Sequence, residues 1–186
     1  RAALADHDGP VLVMNGDHPL YRARTLAALR ETWESRKAGL AILVTEMPDP
    51  TGYGRVIRDA SGRVTRVVEQ NDCSEAERGV REVNLGAYLA DARTLFELLA
   101  RVGNQNAKSE FYITDLVELA IASGRPVESY AADDWRESLG INTRKELARA
   151  EALCVLVEAH LRRPGGDAAA ALTQTEAEWA TLRPRI

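Results

Sequence analysis

The chain has 186 residues, of which 45% are apolar and 28% charged, a composition typical of a globular domain with a sizeable core. Its net charge of −4 argues against a nucleic-acid partner, and no apolar run is long enough to predict a membrane-spanning segment. Two distant cysteines and three scattered histidines do not form the spacing of a zinc site, and they favour reduced thiols in a cytoplasmic protein.

The first half of the chain alternates apolar strands with a helix. An uninterrupted apolar run, as at 40–45, predicts a buried strand, whereas apolar residues at helical spacing on one face predict a helix over 22–37. The predicted elements, in order, are a strand at 11–14, a helix over 22–37, a strand at 40–45, and a hairpin of strands 54–58 and 63–69 around a turn at 59–62.

The second half is mostly helical, with two further strands. The predicted elements are a strand at 83–89, a helix over 91–102, a helix over 114–124, a strand at 127–131, a helix over 143–161 and a last helix over 168–182. Helices that alternate with apolar strands predict an α/β fold with a largely parallel sheet. The hairpin at 54–69 is expected to be an antiparallel insertion.

A possible ligand site follows the first predicted strand. Asn15, Gly16 and Asp17 stand where the strand ends, and open α/β sheets bind ligands at the carboxyl ends of their strands. Gly16 lets a ligand approach the backbone, and the Asp17 carboxylate is a hard oxygen donor suited to Mg²⁺ and phosphate. Taken alone, these residues fit a plain turn equally well.

Five further segments follow in a fixed order. They are Asp49-Pro50-Thr51-Gly52-Tyr53-Gly54-Arg55, Val67-Val68-Glu69, Glu82-Val83-Asn84-Leu85-Gly86, the run 106–115, and Leu139-Gly140-Ile141-Asn142. Together with the segment around Asp17, this series resembles the uridylyltransferase domain of bifunctional bacterial N-acetylglucosamine-1-phosphate uridylyltransferase/glucosamine-1-phosphate acetyltransferase. The resemblance extends from about residue 11 to about residue 153.

The resemblance implies a Rossmann-like nucleotidyltransferase sheet and a specific reaction. UTP and N-acetylglucosamine 1-phosphate would form UDP-N-acetylglucosamine and release pyrophosphate, as a step in making a cell-wall precursor. Asp17 and Asn142 would hold Mg²⁺ and Asp17 would be catalytic, while Gly54, Glu69 and Asn84 would contact the sugar. The substrate-binding residues implied in this way are Asn15, Gly16, Asp17, Gly54, Glu69, Asn84 and Asn142.

Each of these residues also has a purely structural interpretation. Gly54 fits a turn, Glu69 fits a solvated charge at a strand end, and Asn142 fits the N-cap of the helix predicted from residue 143. Asn84 stands between apolar neighbours at a strand start, so it needs hydrogen-bond partners if it is buried. His18 departs from the family pattern, and its side chain is expected to point away from Asp17.

The family also has parts that this sequence does not show. A glycine-rich nucleotide loop would precede residue 1, and a hexapeptide-repeat β-helix would follow the domain, which leaves the family's trimer in doubt for this chain. We therefore expect residues 1–153 to be a partial transferase domain, inactive alone, and residues 154–186 to be a helical tail. The alternatives are a transferase for another sugar or nucleotide, and a non-catalytic module that binds sugar nucleotides.

Overall fold

The structure is a computed structural model that describes Leu4 and residues 6–161. Its strands are β1 (Pro10–Met14), β2 (Leu40–Glu46), β3 (Arg55–Arg58), β4 (Val64–Val68), β5 (Glu82–Asp91) and β6 (Val127–Ala131). Its helices are α1 (Ala23–Ser35), α2 (Glu75–Arg78), α3 (Ala92–Leu99), α4 (Leu116–Ala122) and α5 (Arg144–Leu161), with 3₁₀ turns at Ile113–Asp115 and Trp135–Ser138. The predicted helix over 168–182 lies outside the described residues.

All six strands form one sheet around the long strand β5. The order is β4-β3-β5-β2-β6, and β1 pairs with the second half of β5. β1, β2 and β6 run in one direction, as expected for a largely parallel sheet, and β3 runs in that direction too, but β5 lies among them in the opposite direction. Among the strand pairs that the structure describes, only β2 and β6 are therefore parallel. The expectation of a mostly parallel sheet holds for the direction in which most strands run, but not for the way in which neighbouring strands pair.

Apolar residues on both faces of the sheet explain why helices cover both faces. β2 is buried from Leu40 to Thr45, and its alternate residues enter two separate clusters. Ile42 packs with residues of α3 and α4, whereas Leu43 packs with Leu29 of α1. This layered arrangement confirms the α/β Rossmann-like fold.

The β3–β4 hairpin has the predicted turn. The Asp59 carboxylate accepts hydrogen bonds from the backbone N–H groups of Ser61 and Arg63, at 2.9 and 3.0 Å. Gly62 takes φ +82°, a conformation that glycine adopts without strain. Local turn chemistry therefore fixes the hairpin between residues 54 and 69.

The described chain divides into two compact units. The first contains the sheet and comprises the residues through Gly16 together with 21–138. The second comprises Asp17–Leu20 together with the residues from Leu139 onward, including α5. The boundary predicted after residue 153 falls within α5 and stays a prediction.

Candidate functional site

Gly54, Glu69 and Asn84 lie together in the first unit, although they belong to three separate segments. The Gly54 carbonyl accepts the backbone N–H of Asn84 at 2.9 Å, which links the start of β3 to β5. Glu69 lies directly over Gly54, since a Cβ at residue 54 would be 3.4 Å from the Glu69 Oε1. The absence of a side chain at Gly54 thus leaves room for the carboxylate.

The Glu69 carboxylate is largely shielded from water and is held by a hydroxyl. Thr114, itself buried, donates from Oγ1 to the Glu69 Oε1 at 3.1 Å. Burial raises the pKa of Glu69; the Thr114 hydrogen bond opposes that change, and the nearby charge of Asp72 adds to it. A shielded carboxylate of this kind is a strong acceptor for hydroxyl groups. The contact of Thr114 with Glu69 depends on the fold, because 45 residues separate the two in the sequence.

Asn84 is buried and both ends of its amide are engaged. Its Nδ2 donates to the Tyr88 hydroxyl at 2.6 Å, and its Oδ1 accepts the backbone N–H of Gly86 at 3.3 Å. The predicted need for partners is therefore confirmed, and the partners are within β5. Tyr88 is 1% exposed, and burial raises its pKa, so the phenol stays neutral. The sequence contains no local signal for this contact.

Asn15 and Gly16 lie at the end of β1, beside an irregularity of β5. The register between β2 and β5 shifts around Gly86, which takes φ +76°. Asn15 donates its backbone N–H to the Gly86 carbonyl at 3.2 Å, and its side chain occupies the space that a Cβ at residue 86 would need. At Gly16, in contrast, no atom lies within 4 Å of the Cβ position, so the backbone there is open to a ligand.

Asp17 and Asn142 lie close together within the second unit. The Asp17 carbonyl accepts the backbone N–H of Ile141, next to Asn142, at 2.8 Å. The Asp17 side chain is 45% exposed, and Asn142 is also exposed. The His18 Nε2 is 3.9 Å from the Asp17 Oδ1, and its side chain is 10% exposed. The expectation that His18 points away from Asp17 is therefore wrong, because the ring packs against the side-chain-free face of Gly140.

The helix that follows Asn142 is capped by Thr143 and Glu146. The Thr143 Oγ1 accepts the N–H of Glu146 at 3.2 Å, and the Glu146 carboxylate accepts the N–H groups of Asn142 and Thr143, each at 2.7 Å. These bonds form a capping box with Thr143 as the N-cap, and the bond from the Asn142 N–H lowers the pKa of Glu146. The interpretation of Asn142 as the N-cap is therefore wrong.

The chemistry of these two side chains fits a magnesium ion. Asp17 offers a carboxylate and Asn142 an amide oxygen, and Mg²⁺ commonly takes few protein ligands and completes its shell with phosphates and water. Within the described residues, no group of three or more histidine, cysteine or acidic side chains could hold a metal. The candidate donors in this part of the described chain are therefore the Asp17 carboxylate and the Asn142 amide oxygen.

Comparison with known proteins places these features in context. Residues 1–142 match the nucleotidyl transferase family. The chain is 45% identical over 149 residues to the bifunctional protein GlmU of Brevibacillus brevis, covering 80% of this chain and 32% of that protein. It is also 45% identical over 170 residues to the protein of that name from an Anaeromyxobacter species, covering 87% and 33%.

Similarity to a solved structure supports the fold. The crystal structure of a Bacillus anthracis protein assigned as a glucose-1-phosphate thymidylyltransferase, in complex with a sucrose, superposes with a TM-score of 0.60 at 20% identity. The match covers 78% of this chain and 55% of that one. The chain spans about a third of the length of the curated relatives described above.

Proposed function

The chain belongs to the nucleotidyl transferase family, and we propose that it contributes the sugar-binding part of the reaction that forms UDP-N-acetylglucosamine from UTP and N-acetylglucosamine 1-phosphate. The observation that carries this proposal is the contact among Gly54, Glu69 and Asn84, which the resemblance assigns to the sugar. A backbone without a side chain beside a shielded carboxylate suits a ligand with several hydroxyl groups. The similarity to GlmU proteins supports this choice of substrates.

In the proposed reaction, a phosphate oxygen of the sugar phosphate attacks the α-phosphorus of UTP. The bond from that phosphorus to the oxygen that bridges to the β-phosphate breaks, and pyrophosphate leaves with the electron pair. Such a transfer depends on positioning and on charge neutralisation rather than on a protein nucleophile.

The residues of each unit would contribute separately to that positioning. Glu69 accepts hydrogen bonds from sugar hydroxyls and Gly54 presents its backbone to the sugar. Asn84 has one amide hydrogen beyond the one it donates to Tyr88, and this hydrogen is available to the ligand. Asn15 and Gly16 form the open backbone at the end of β1. Asp17 and Asn142 would hold Mg²⁺, which would neutralise charge on the phosphates.

The proposal includes a cytoplasmic location. Cys73 is buried and Cys154 exposed, and both are free thiols, as expected in a reducing compartment. Among the described residues, no helix is long and apolar enough to cross a membrane.

Calorimetric titration of the chain with UDP-N-acetylglucosamine tests the proposal. We expect binding in Mg²⁺, and weaker binding with a chelator or in the Asp17→Ala variant. Asp8→Ala is the matched control, because Asp8 is an exposed aspartate outside the site. A folded chain that does not bind, or that binds equally with and without Mg²⁺ and Asp17, would contradict the proposal.

A further inference from the structure

Gln70 connects the loop before β3 to the end of β4. Its Oε1 accepts a hydrogen bond from the backbone N–H of Gly52 at 3.1 Å and another from the Arg55 Nη2 at 2.7 Å. The two donors flank Gly54, and Gln70 directly follows Glu69 in the chain. A single amide oxygen therefore ties the Gly54 backbone to the segment that carries the Glu69 carboxylate.

The guanidinium of Arg55 makes this amide oxygen difficult to replace. Arg55 is 1% exposed, and its Nη1 donates to the Tyr53 carbonyl. Its Nε–H has no hydrogen-bond partner among the residues that the structure describes. Because a guanidinium stays charged, the removal of Gln70 would leave a second donor of a buried cation unpaired.

The turn at Gly52 is closed by local hydrogen bonds, since the Thr51 N–H donates to the Asp49 Oδ1 and the Tyr53 N–H to the Pro50 carbonyl, each at 3.1 Å. Gly52 itself is exposed and takes φ +90°, a conformation in which glycine has wide backbone freedom. The bond from the Gly52 N–H to Gln70 adds a restraint of a different kind, because it ties this turn to the segment that carries Glu69.

We propose that Gln70 is a positioning residue for sugar binding, which fixes the loop 51–54 against Glu69. This inference rests on the proposed function, because it concerns the same pair, Gly54 and Glu69. A loop that is ordered before the ligand arrives avoids the entropic cost of ordering during binding. Gln70 contributes to affinity by keeping the Gly54 backbone and the Glu69 carboxylate at a fixed distance from each other.

Three substitutions separate this role from a general effect on the fold. Gln70→Leu removes the acceptor and keeps much of the volume. Gln70→Glu keeps an oxygen that accepts from both donors, so it should restore the loop. Gln105→Leu makes the same change at an exposed glutamine of another loop and is the matched control.

The experiment measures two quantities well below the melting temperature of each variant. Calorimetry with UDP-N-acetylglucosamine and Mg²⁺ gives the affinity, and amide hydrogen exchange by NMR on the ligand-free chain reports on the Gly52 N–H. We expect Gln70→Leu to bind about tenfold more weakly, because the loop would then have to be ordered during binding. The Gly52 N–H should also exchange faster, and Gln70→Glu should restore both values.

The outcomes distinguish the two proposals. If the unsubstituted chain binds and Gln70→Leu binds equally well, the role of Gln70 is refuted and the proposed function stands. Failure of Gln70→Glu to restore affinity or exchange also refutes the role of Gln70. If the unsubstituted chain is folded and does not bind, the proposed function fails, and with it the sugar site that Gln70 would position.

Discussion

Replacement of Gly86 by alanine tests the irregularity of β5 and its contact with Asn15. The new Cβ would lie 2.2 Å from the Asn15 Nδ2, far inside contact distance, and residue 86 would keep φ +76°. A non-glycine residue in this conformation costs about 1–2 kcal/mol, and displacing Asn15 from its rotamer adds ~0.5–1.5 kcal/mol. We expect Gly86→Ala to lower the free energy of unfolding by about 2 kcal/mol.

A double-mutant cycle separates the two contributions. In the Asn15→Ala background the steric conflict is absent, so Gly86→Ala should cost about 1 kcal/mol less than in the unsubstituted chain. Urea denaturation followed by circular dichroism measures both values, and thermal melting should show a decrease of ~4–8 °C for the single variant. Gly103→Ala is the control, because its Cβ position is open and its φ is not positive.

Two results would refute this reasoning. A loss of less than about 0.5 kcal/mol for Gly86→Ala would show that the backbone does not need a glycine there. Additive effects of the two substitutions would show that Asn15 does not fill the space over Gly86.

Three other expectations concern the buried carboxylates and the loop glycine. Glu137 is 1% exposed, so Glu137→Ala should lower the free energy of unfolding, measured by urea denaturation, by about 3–5 kcal/mol. Glu97→Ala, at an exposed ion pair, should lower it by less than about 1 kcal/mol. Equal losses of stability in the two variants would contradict this expectation. Because burial raises the pKa of Glu69 above its ordinary 4.5, calorimetric affinity for UDP-N-acetylglucosamine should fall as the pH is lowered through that raised pKa. Glu69→Gln should remove this pH dependence, and its persistence would assign it to another group. Gly54→Ala should weaken sugar-nucleotide binding by about tenfold while Gly103→Ala does not, since the Cβ would lie 3.0 Å from the Val67 Cγ1 and fill the space beside the Glu69 carboxylate. Unchanged affinity would exclude Gly54 from the site.

The contacts of the buried Glu137 carboxylate explain the loss of stability expected for Glu137→Ala. Its carboxylate accepts from the Arg22 backbone N–H at 3.0 Å and from the Thr25 hydroxyl at 2.9 Å. Asp134, also buried, pairs with Arg22 and with Arg136. Burial raises the pKa of Glu137, and these donors oppose that effect. Removing the Glu137 carboxylate would therefore leave the Arg22 backbone N–H and the buried Thr25 hydroxyl without their acceptor.

Local patterns in the sequence predicted most of the elements. The run at 40–45 is buried throughout in β2, and the Asp59–Gly62 turn closes the hairpin as expected, because both depend on neighbouring residues alone. The direction of β5 and its irregularity at Gly86 were not predicted, since they arise from pairing with distant strands.

The same limit applies to the site. The family resemblance selected Gly54, Glu69 and Asn84, which the fold brings together, and their roles stay predictions. The groups that hold them, Thr114 and Gln70, could not be identified, because their contacts cross between segments that are separated in sequence. A residue that orients a ligand-binding group carries no motif of its own.

The central position of β5 also affects the order in which the chain can fold. β1 pairs with residues 87–91, so this part of the sheet waits until residue 91 has been synthesised, and the pairing of β2 with β6 waits until residue 131. Only the β3–β4 hairpin pairs strands that are close in sequence. Because closing long loops is entropically costly, such topologies fold slowly. During synthesis, the apolar strands β1 and β2 are thus exposed before their common neighbour emerges, and the nascent chain depends on protection from aggregation during that interval.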